Sequence, residues 1–318
     1  MTRALIFPGQ GSQFVGMGKE LAENFSSAKQ VFEQVDEALG QKLFALMCEG
    51  PEDQLNLTEN TQPALMAVSM AVMSVIEAET GKKVSDYAQY VAGHSLGEYA
   101  ALTAAGALEL EQTATLLKIR GQAMQQAVPV GQGSMAAILG LSFEDVQAIA
   151  VRASSEAGEE QICEAANDNS EGQVVISGHA AAVQTAVAMA SDQGARKAVQ
   201  LPVSAPFHCT LMAPAAAKMA EALAEATINV PCVPVVANVT AQAETDPMRI
   251  RQLLTDQVTG MVRWRESVLW MKDNGITEMA EIGAGKVLSG LVRRIERSIA
   301  CEPVGAPDQI KSLIEKIN

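Results

Sequence analysis

The chain has little of several things. Aromatic residues make up 4% of its 318 positions, and histidine occurs only at positions 94, 179 and 208. Its five cysteines (Cys48, Cys163, Cys209, Cys232 and Cys301) are odd in number and widely spaced, with no C-x-x-C pair. A disulfide framework and a zinc site are therefore not expected, and neither is any other metal. Basic residues are outnumbered 23 to 37, for a net charge of −14, which argues against nucleic acid as a partner. Apolar runs are short. The longest, "PALMAVSMAVMSVI" (63–76), falls below the ~20 residues of a membrane span and reads as a buried helix. "MTRALIF" lacks the apolar core of a signal peptide. A cytoplasmic protein without a membrane partner is expected.

The charge deficit is uneven. Residues 241–318 hold 11 basic and 11 acidic residues, so the first 240 carry the whole imbalance. Lys286, Arg293, Arg294 and Arg297 cluster in the balanced quarter. They are candidates for docking an acidic partner; a solvated helix face is the other reading.

What the chain does have is alternation of short strands with helices. Strands are expected at 4–7, 90–94, 233–239 and 278–283, with helices at 15–40, 61–80, 96–106, 109–127, 208–226 and 284–295. This order implies a mostly parallel sheet covered by helices. Between them, residues 134–203 read strand, helix, strand, strand, helix, strand, the βαββαβ order of a ferredoxin-like unit. The expected organisation is a core formed by residues 1–130 and 204–318, with a small domain at 131–203 inserted into it.

The chemistry centres on "YVAGHSLGEYAAL", where Gly93, Ser95 and Gly97 form G-x-S-x-G. Taking Gly and Ser at roughly 7% each, the bare pattern arises by chance in about one chain in ten of this length. The setting carries the weight: a buried strand before it and a helix after it are what a nucleophile elbow needs. Such a turn lifts the serine oxygen clear and brings backbone N–H groups, Leu96 first, to a helix N-terminus where negative charge is stabilised. A serine nucleophile needs a base. His94 adjoins Ser95 and points away from it, and His179 begins a helix of the inserted unit. His208, in "SAPFHCTLM", is the base by elimination.

"FPGQGSQ" after the first strand is not a nucleotide loop. Phe14 stands where the dinucleotide fingerprint needs glycine, and Met17 where a phosphate loop needs lysine. The loop exposes backbone N–H groups, and Gln10 is positioned to supply a second oxyanion donor. Arg120 lies in the apolar stripe of helix 109–127, among Leu110, Ala114, Leu117 and Met124. Either it is structural, one half of an internal salt bridge or an arginine at the stripe's margin, or it is a fork for a substrate carboxylate.

These segments, "FPGQGSQ", "TQPAL", "GHSLGEYAAL", "RGQAMQ", "GQVVISG", "APFH" and "EIGAGKVLSGL", stand in the order found in malonyl-CoA:acyl carrier protein transacylases, and the chain resembles that family over its whole length. Glu171 and Ala284 stand where the family often has proline, a difference in loop stiffness only. The resemblance implies an α/β-hydrolase-like core with a ferredoxin-like insert. It implies an [acyl-carrier-protein] S-malonyltransferase of fatty acid biosynthesis, working by ping-pong transfer from malonyl-CoA to the phosphopantetheine thiol of acyl carrier protein without a cofactor. It implies Ser95 as the acylated serine and His208 as its base, with the oxyanion held by Gln10 and Leu96. Arg120 would bind the malonyl carboxylate, Gln62 and Asn167 would line the pocket, and Gln257 would orient the histidine through its backbone carbonyl. Phe207 would crowd an α-methyl branch. A monomer is expected. The alternatives are a serine hydrolase or thioesterase, or a malonyl transacylase serving a polyketide or malonate-decarboxylase carrier. A hydrolase would place its histidine near the C-terminus, whereas His208 lies 110 residues from it.

Overall fold

A computed structural model describes residues 2–203 and 205–318; Met1 and Ser204, the latter at the expected edge of the insert, lie outside the described residues. In chain order the strands are β1 (Arg3–Phe7), β2 (Tyr90–Gly93), β3 (Gly133–Leu139), β4 (Cys163–Ser170) and β5 (Gln173–His179). They continue with β6 (Lys197–Gln200), β7 (Val235–Val236), β8 (Ala243–Glu244), β9 (Glu278–Ile282) and β10 (Ala300–Val304).

Six of them form one sheet in the order β10-β9-β1-β2-β7-β8, parallel except for the β7–β8 edge. Strand β1 shows why its sequence reads as an unbroken apolar run. Leu5 and Phe7 pack into one core and Ala4 and Ile6 into another, so alternate side chains enter helical layers on opposite faces. The first layer includes the helix Thr58–Thr80, the chain's one helix among the described residues long and apolar enough to cross a membrane; 78% of its most apolar window is buried inside the protein.

The other four strands form an antiparallel sheet in the order β4-β5-β3-β6, with helices Phe143–Ala157 and Ala180–Asp192 against one face. This is the ferredoxin-like arrangement expected from 134–203. Ala136, Ile138, Val174 and Ile176 point to those helices, while Met135 and Val175 point to the other sheet's core. The small sheet is stitched to the segment between helices Pro247–Thr259 and Trp264–Asp273, which belongs to neither sheet. Val262 N–H donates to the Ala166 carbonyl at 2.9 Å, and Asp168 N–H donates to the Val262 carbonyl at 3.0 Å. Beside this seam the Arg265 guanidinium reaches both oxygens of buried Asp168, at 2.8 and 3.1 Å.

Local differences from the expected elements have local causes. The helix expected over 15–40 starts only at Lys19, because Gly16 and Gly18 have φ of 101° and 82°, and it is split by extended Phe25 into Lys19–Asn24 and Ser26–Leu39. Only Val235–Val236 of "VPVVANV" pairs as strand; the chain then turns, and Asn238 is used for its side chain. The helix expected from 208 begins as a single 3₁₀ turn, Thr210–Met212, before Ala213–Glu225.

Candidate active site

Two glycines fix the position of Ser95. A Cβ on Gly93 would lie 1.9 Å from the Gly97 backbone, and one on Gly97 would lie 2.3 Å from the Phe7 carbonyl oxygen. The turn packs against itself and against β1 too closely for any side chain at either place. Between them Ser95 has φ of 53°, a conformation that costs on the order of 1–3 kcal/mol and must be held from outside. Asn238 does much of this: its Oδ1 accepts the Ser95 N–H at 2.7 Å and its Nδ2 donates to the Gly93 carbonyl at 2.6 Å. Gln257 Nε2 donates to the Ser95 carbonyl at 3.0 Å.

His208 is buried and also has a positive φ, 58°. Its Nε2 lies 2.7 Å from Ser95 Oγ. Its Nδ1 lies 2.9 Å from the Gln257 carbonyl oxygen and 3.1 Å from that of Gly260. Carbonyl oxygens only accept, so Nδ1 carries the proton and the Nε2 lone pair faces the serine hydroxyl, which donates to it. Burial, and then the Arg120 cation, push the His208 pKa down to about 3, against the pull of the two carbonyls. The imidazole is neutral at neutral pH, the state a general base requires.

Arg120 comes from the helix Leu110–Gln126 and is 1% exposed. Its Nη1 donates to Gln62 Oε1 at 2.7 Å, and its Nη2 to Gln257 Oε1 at 2.8 Å and to Ser95 Oγ at 3.1 Å. Its Nε has no partner among the described residues. The guanidinium carbon lies 5.8 Å from the centroid of the Tyr99 ring. Every hydrogen-bond acceptor is neutral, and among the described residues no carboxylate lies within ion-pair distance of Arg120. Of the two readings of this arginine, the internal salt bridge is not what is seen. Burial pulls its pKa down, with Tyr99 and Glu98 pulling it up.

Glu98 lies behind the serine in the first turn of the helix Gly97–Ala104 and is 2% exposed. Its Oε2 accepts from the Asn238 backbone N–H and from Gln257 Nε2, both at 2.9 Å. Burial raises its pKa to about 7, while those two bonds and Arg120 lower it.

Gln10, Gln62, Ser95, Leu96, Arg120, Asn167, Phe207 and His208 all border one cavity of about 170 Å³. Such a volume suits a short acyl group and is well below the roughly 300 Å³ at which drug-sized ligand pockets begin. The backbone N–H groups of Gln10 and Leu96 make no hydrogen bond among the described residues. Gln257 stands behind this wall rather than in it. Size alone would mislead: a groove of about 390 Å³ near Met70 and Cys232 is larger and contains no serine–histidine pair.

The small sheet contributes Met135, Asn167, Asn169 and Val175 to the same cavity. Asn169 Oδ1 lies 2.8 Å from His94 Nε2, and the His94 ring is 5.7 Å from that of Trp264. Burial lowers the His94 pKa against that hydrogen bond. Sequence reasoning missed Asn238, Asn169, Glu98 and the Gly260 carbonyl. A glutamate inside the apolar run "LGEYAAL" was a visible signal for Glu98; the others had none. Lys286, Arg293, Arg294 and Arg297 are exposed and do not border the cavity, and Arg294 Nη1 donates to Gln173 Oε1 at 2.6 Å.

This fold and this constellation place the chain among α/β enzymes built around a strand–turn–helix serine and a histidine. Residues 4–304 match the acyl transferase domain family, and the chain belongs to it. It is 43% identical over 312 residues to the malonyl CoA-acyl carrier protein transacylase of Escherichia coli K12, covering 98% of each chain. It is equally identical, over 314 residues, to the transacylase of the same description from Bacillus subtilis 168, covering 99% of this chain and 96% of that one. The crystal structure of acyl-carrier-protein-S-malonyltransferase from Bartonella henselae superposes with a TM-score of 0.96 at 54% identity, covering 100% of this chain and 99% of that one.

Proposed function

We propose that this enzyme moves a malonyl group from malonyl-CoA to the phosphopantetheine thiol of acyl carrier protein through a malonyl-serine intermediate, as a step of fatty acid biosynthesis. The observation that carries the reading is a serine oxygen 2.7 Å from a neutral imidazole and 3.1 Å from a buried arginine with no carboxylate within ion-pair distance among the described residues.

In the first half-reaction His208 Nε2 takes the Ser95 proton as Oγ attacks the thioester carbonyl. The Gln10 and Leu96 N–H groups take the developing oxyanion. The imidazolium returns its proton to the leaving thiolate. In the second half His208 deprotonates the carrier's thiol, which attacks the ester carbonyl; the bond to Ser95 Oγ breaks, and the imidazolium returns the proton to that oxygen. Arg120, freed from Ser95 Oγ by acylation, is the anchor for the distal carboxylate, with Gln62 holding its other side. No cofactor enters either step. Asn167 and Phe207 border the acyl group, and Phe207 is set against an α-branch. Lys286, Arg293, Arg294 and Arg297 are the surface for the acidic carrier; changing Arg293 and Arg294 to Glu would raise the KM for carrier without altering acylation by malonyl-CoA.

The test is intact-protein mass spectrometry after mixing with malonyl-CoA, peptide mapping, and then addition of holo carrier. One malonyl group on the Ser95 peptide that discharges onto the carrier is the expected result. An adduct lost to water but not to carrier would make the enzyme a hydrolase, and no adduct would remove Ser95 from the reaction.

A further inference from the structure

Arg120 and Glu98 are both buried, and neither touches the other. The Gln257 side chain stands between them: its Oε1 accepts from Arg120 Nη2 at 2.8 Å, and its Nε2 donates to Glu98 Oε2 at 2.9 Å. A cation and a carboxyl group, ionised above its pKa of about 7, are thus joined through one amide, which each end polarises in the sense that strengthens the other bond. The amide cannot turn over, because Nε2 also donates to the Ser95 carbonyl, and a flip would aim N–H groups at the guanidinium.

A buried arginine needs a compensating charge. A direct bidentate carboxylate would supply it and would occupy the fork. Here no carboxylate takes the fork: among the described residues Nη1 donates to the Gln62 amide, Nη2 donates to the Gln257 amide and to Ser95 Oγ, and Arg120 borders the cavity. We propose that Gln257 and Glu98 together set the specificity of this site for acyl groups that end in a carboxylate, by balancing the Arg120 charge from one amide away and leaving the guanidinium open to the substrate. The inference rests on Arg120 being the acyl carboxylate's anchor. Gln257 thereby has a second task, separate from the backbone carbonyl it offers His208. Glu98 touches no reacting atom and is a positioning residue.

The position of the negative charge, not its presence alone, is what matters. Glu98→Gln removes it and keeps the shape. Gln257→Glu combined with Glu98→Gln moves it onto Arg120 with the net charge unchanged. The readout is the ratio of single-turnover acylation rates, malonyl-CoA over acetyl-CoA, measured by intact mass at a pH well above 7, where the Glu98 carboxyl is ionised. A general loss of scaffold slows both reactions and leaves the ratio unmoved.

In the exchanged protein the ratio is expected to fall about 100-fold, because the carboxylate introduced at position 257 pairs directly with the guanidinium and neutralises the charge that draws the substrate carboxylate. In Glu98→Gln alone it is expected to rise by at least about threefold, because an uncompensated guanidinium attracts an anion more strongly. A ratio that stays or falls in Glu98→Gln overturns the proposal, whether or not the exchanged protein folds. So does an exchanged protein that keeps its preference for malonyl. Arg120→Ala separates the two ideas. If it leaves the ratio unchanged, the anchor reading itself fails. If it collapses the ratio while the other variants do not behave as stated, only the relay fails.

Discussion

The two sides of the cavity are built differently. The parallel-sheet side brings Ser95, Arg120, Gln62 and the residues behind them, each fixed by several hydrogen bonds to neighbours that are themselves buried. The antiparallel-sheet side brings Met135, Asn167, Asn169 and Val175, which bound the space and, apart from the Asn169–His94 contact, make no side-chain hydrogen bond to the serine–histidine–arginine group among the described residues. On the proposed mechanism, one side reacts and the other shapes. Disrupting the first should abolish turnover; altering the second should change which acyl groups are accepted.

The largest effect is expected at the serine. Ser95→Ala should remove the acyl-enzyme and reduce transfer by about 10⁴-fold or more, read by mass spectrometry and by carrier acylation. Next comes its turn. Gly97→Ala brings a methyl group to 2.3 Å from the Phe7 carbonyl and should cost at least about 3 kcal/mol, visible as a lowered thermal midpoint. A melt like that of the parent would refute the close-packing account.

Arg120→Ala should lower malonyl acylation by about 100- to 1,000-fold. It should also move the acid limb of acylation by acetyl-CoA upward. The cation disfavours the imidazolium, so removing it raises the His208 pKa from about 3 toward that of free imidazole, and the neutral base is then lost at a higher pH as the solution is acidified. Outside both sheets, in the segment that leads to His208, Phe207→Ala should improve methylmalonyl acylation by about tenfold while malonyl acylation changes less. The smallest effect belongs to Asn169→Ala, which removes one hydrogen bond to His94, worth about 1 kcal/mol, and should slow acylation by less than about tenfold. If Asn169→Ala proved as damaging as Arg120→Ala, the division between the two sides would be wrong.

The reacting side was the more legible in the sequence, for a physical reason. G-x-S-x-G is a local solution to a local packing problem, since both glycines answer contacts made by the turn itself and by the adjacent strand. Arg120 was legible as a charge in an apolar stripe, though only the structure decides between its two readings. The βαββαβ order was readable because each element shows its own period. Asn238 and the Gly260 carbonyl were not. Each acts through a contact spanning tens of residues or more, 143 in the case of Asn238 and Ser95, and a backbone carbonyl leaves no mark on residue type. Asn169 lies in a strand where alternate residues face the cavity, and nothing in its neighbours says which register that strand takes.

The seam at Val262 means that two parts of the cavity are held in common. Val262 is bonded to Ala166 and Asp168 on the small sheet and stands two residues beyond Gly260, whose carbonyl lies 3.1 Å from His208 Nδ1. One short segment thus tethers both the far wall of the cavity and the ring that faces the serine, as a single keystone serves two arches.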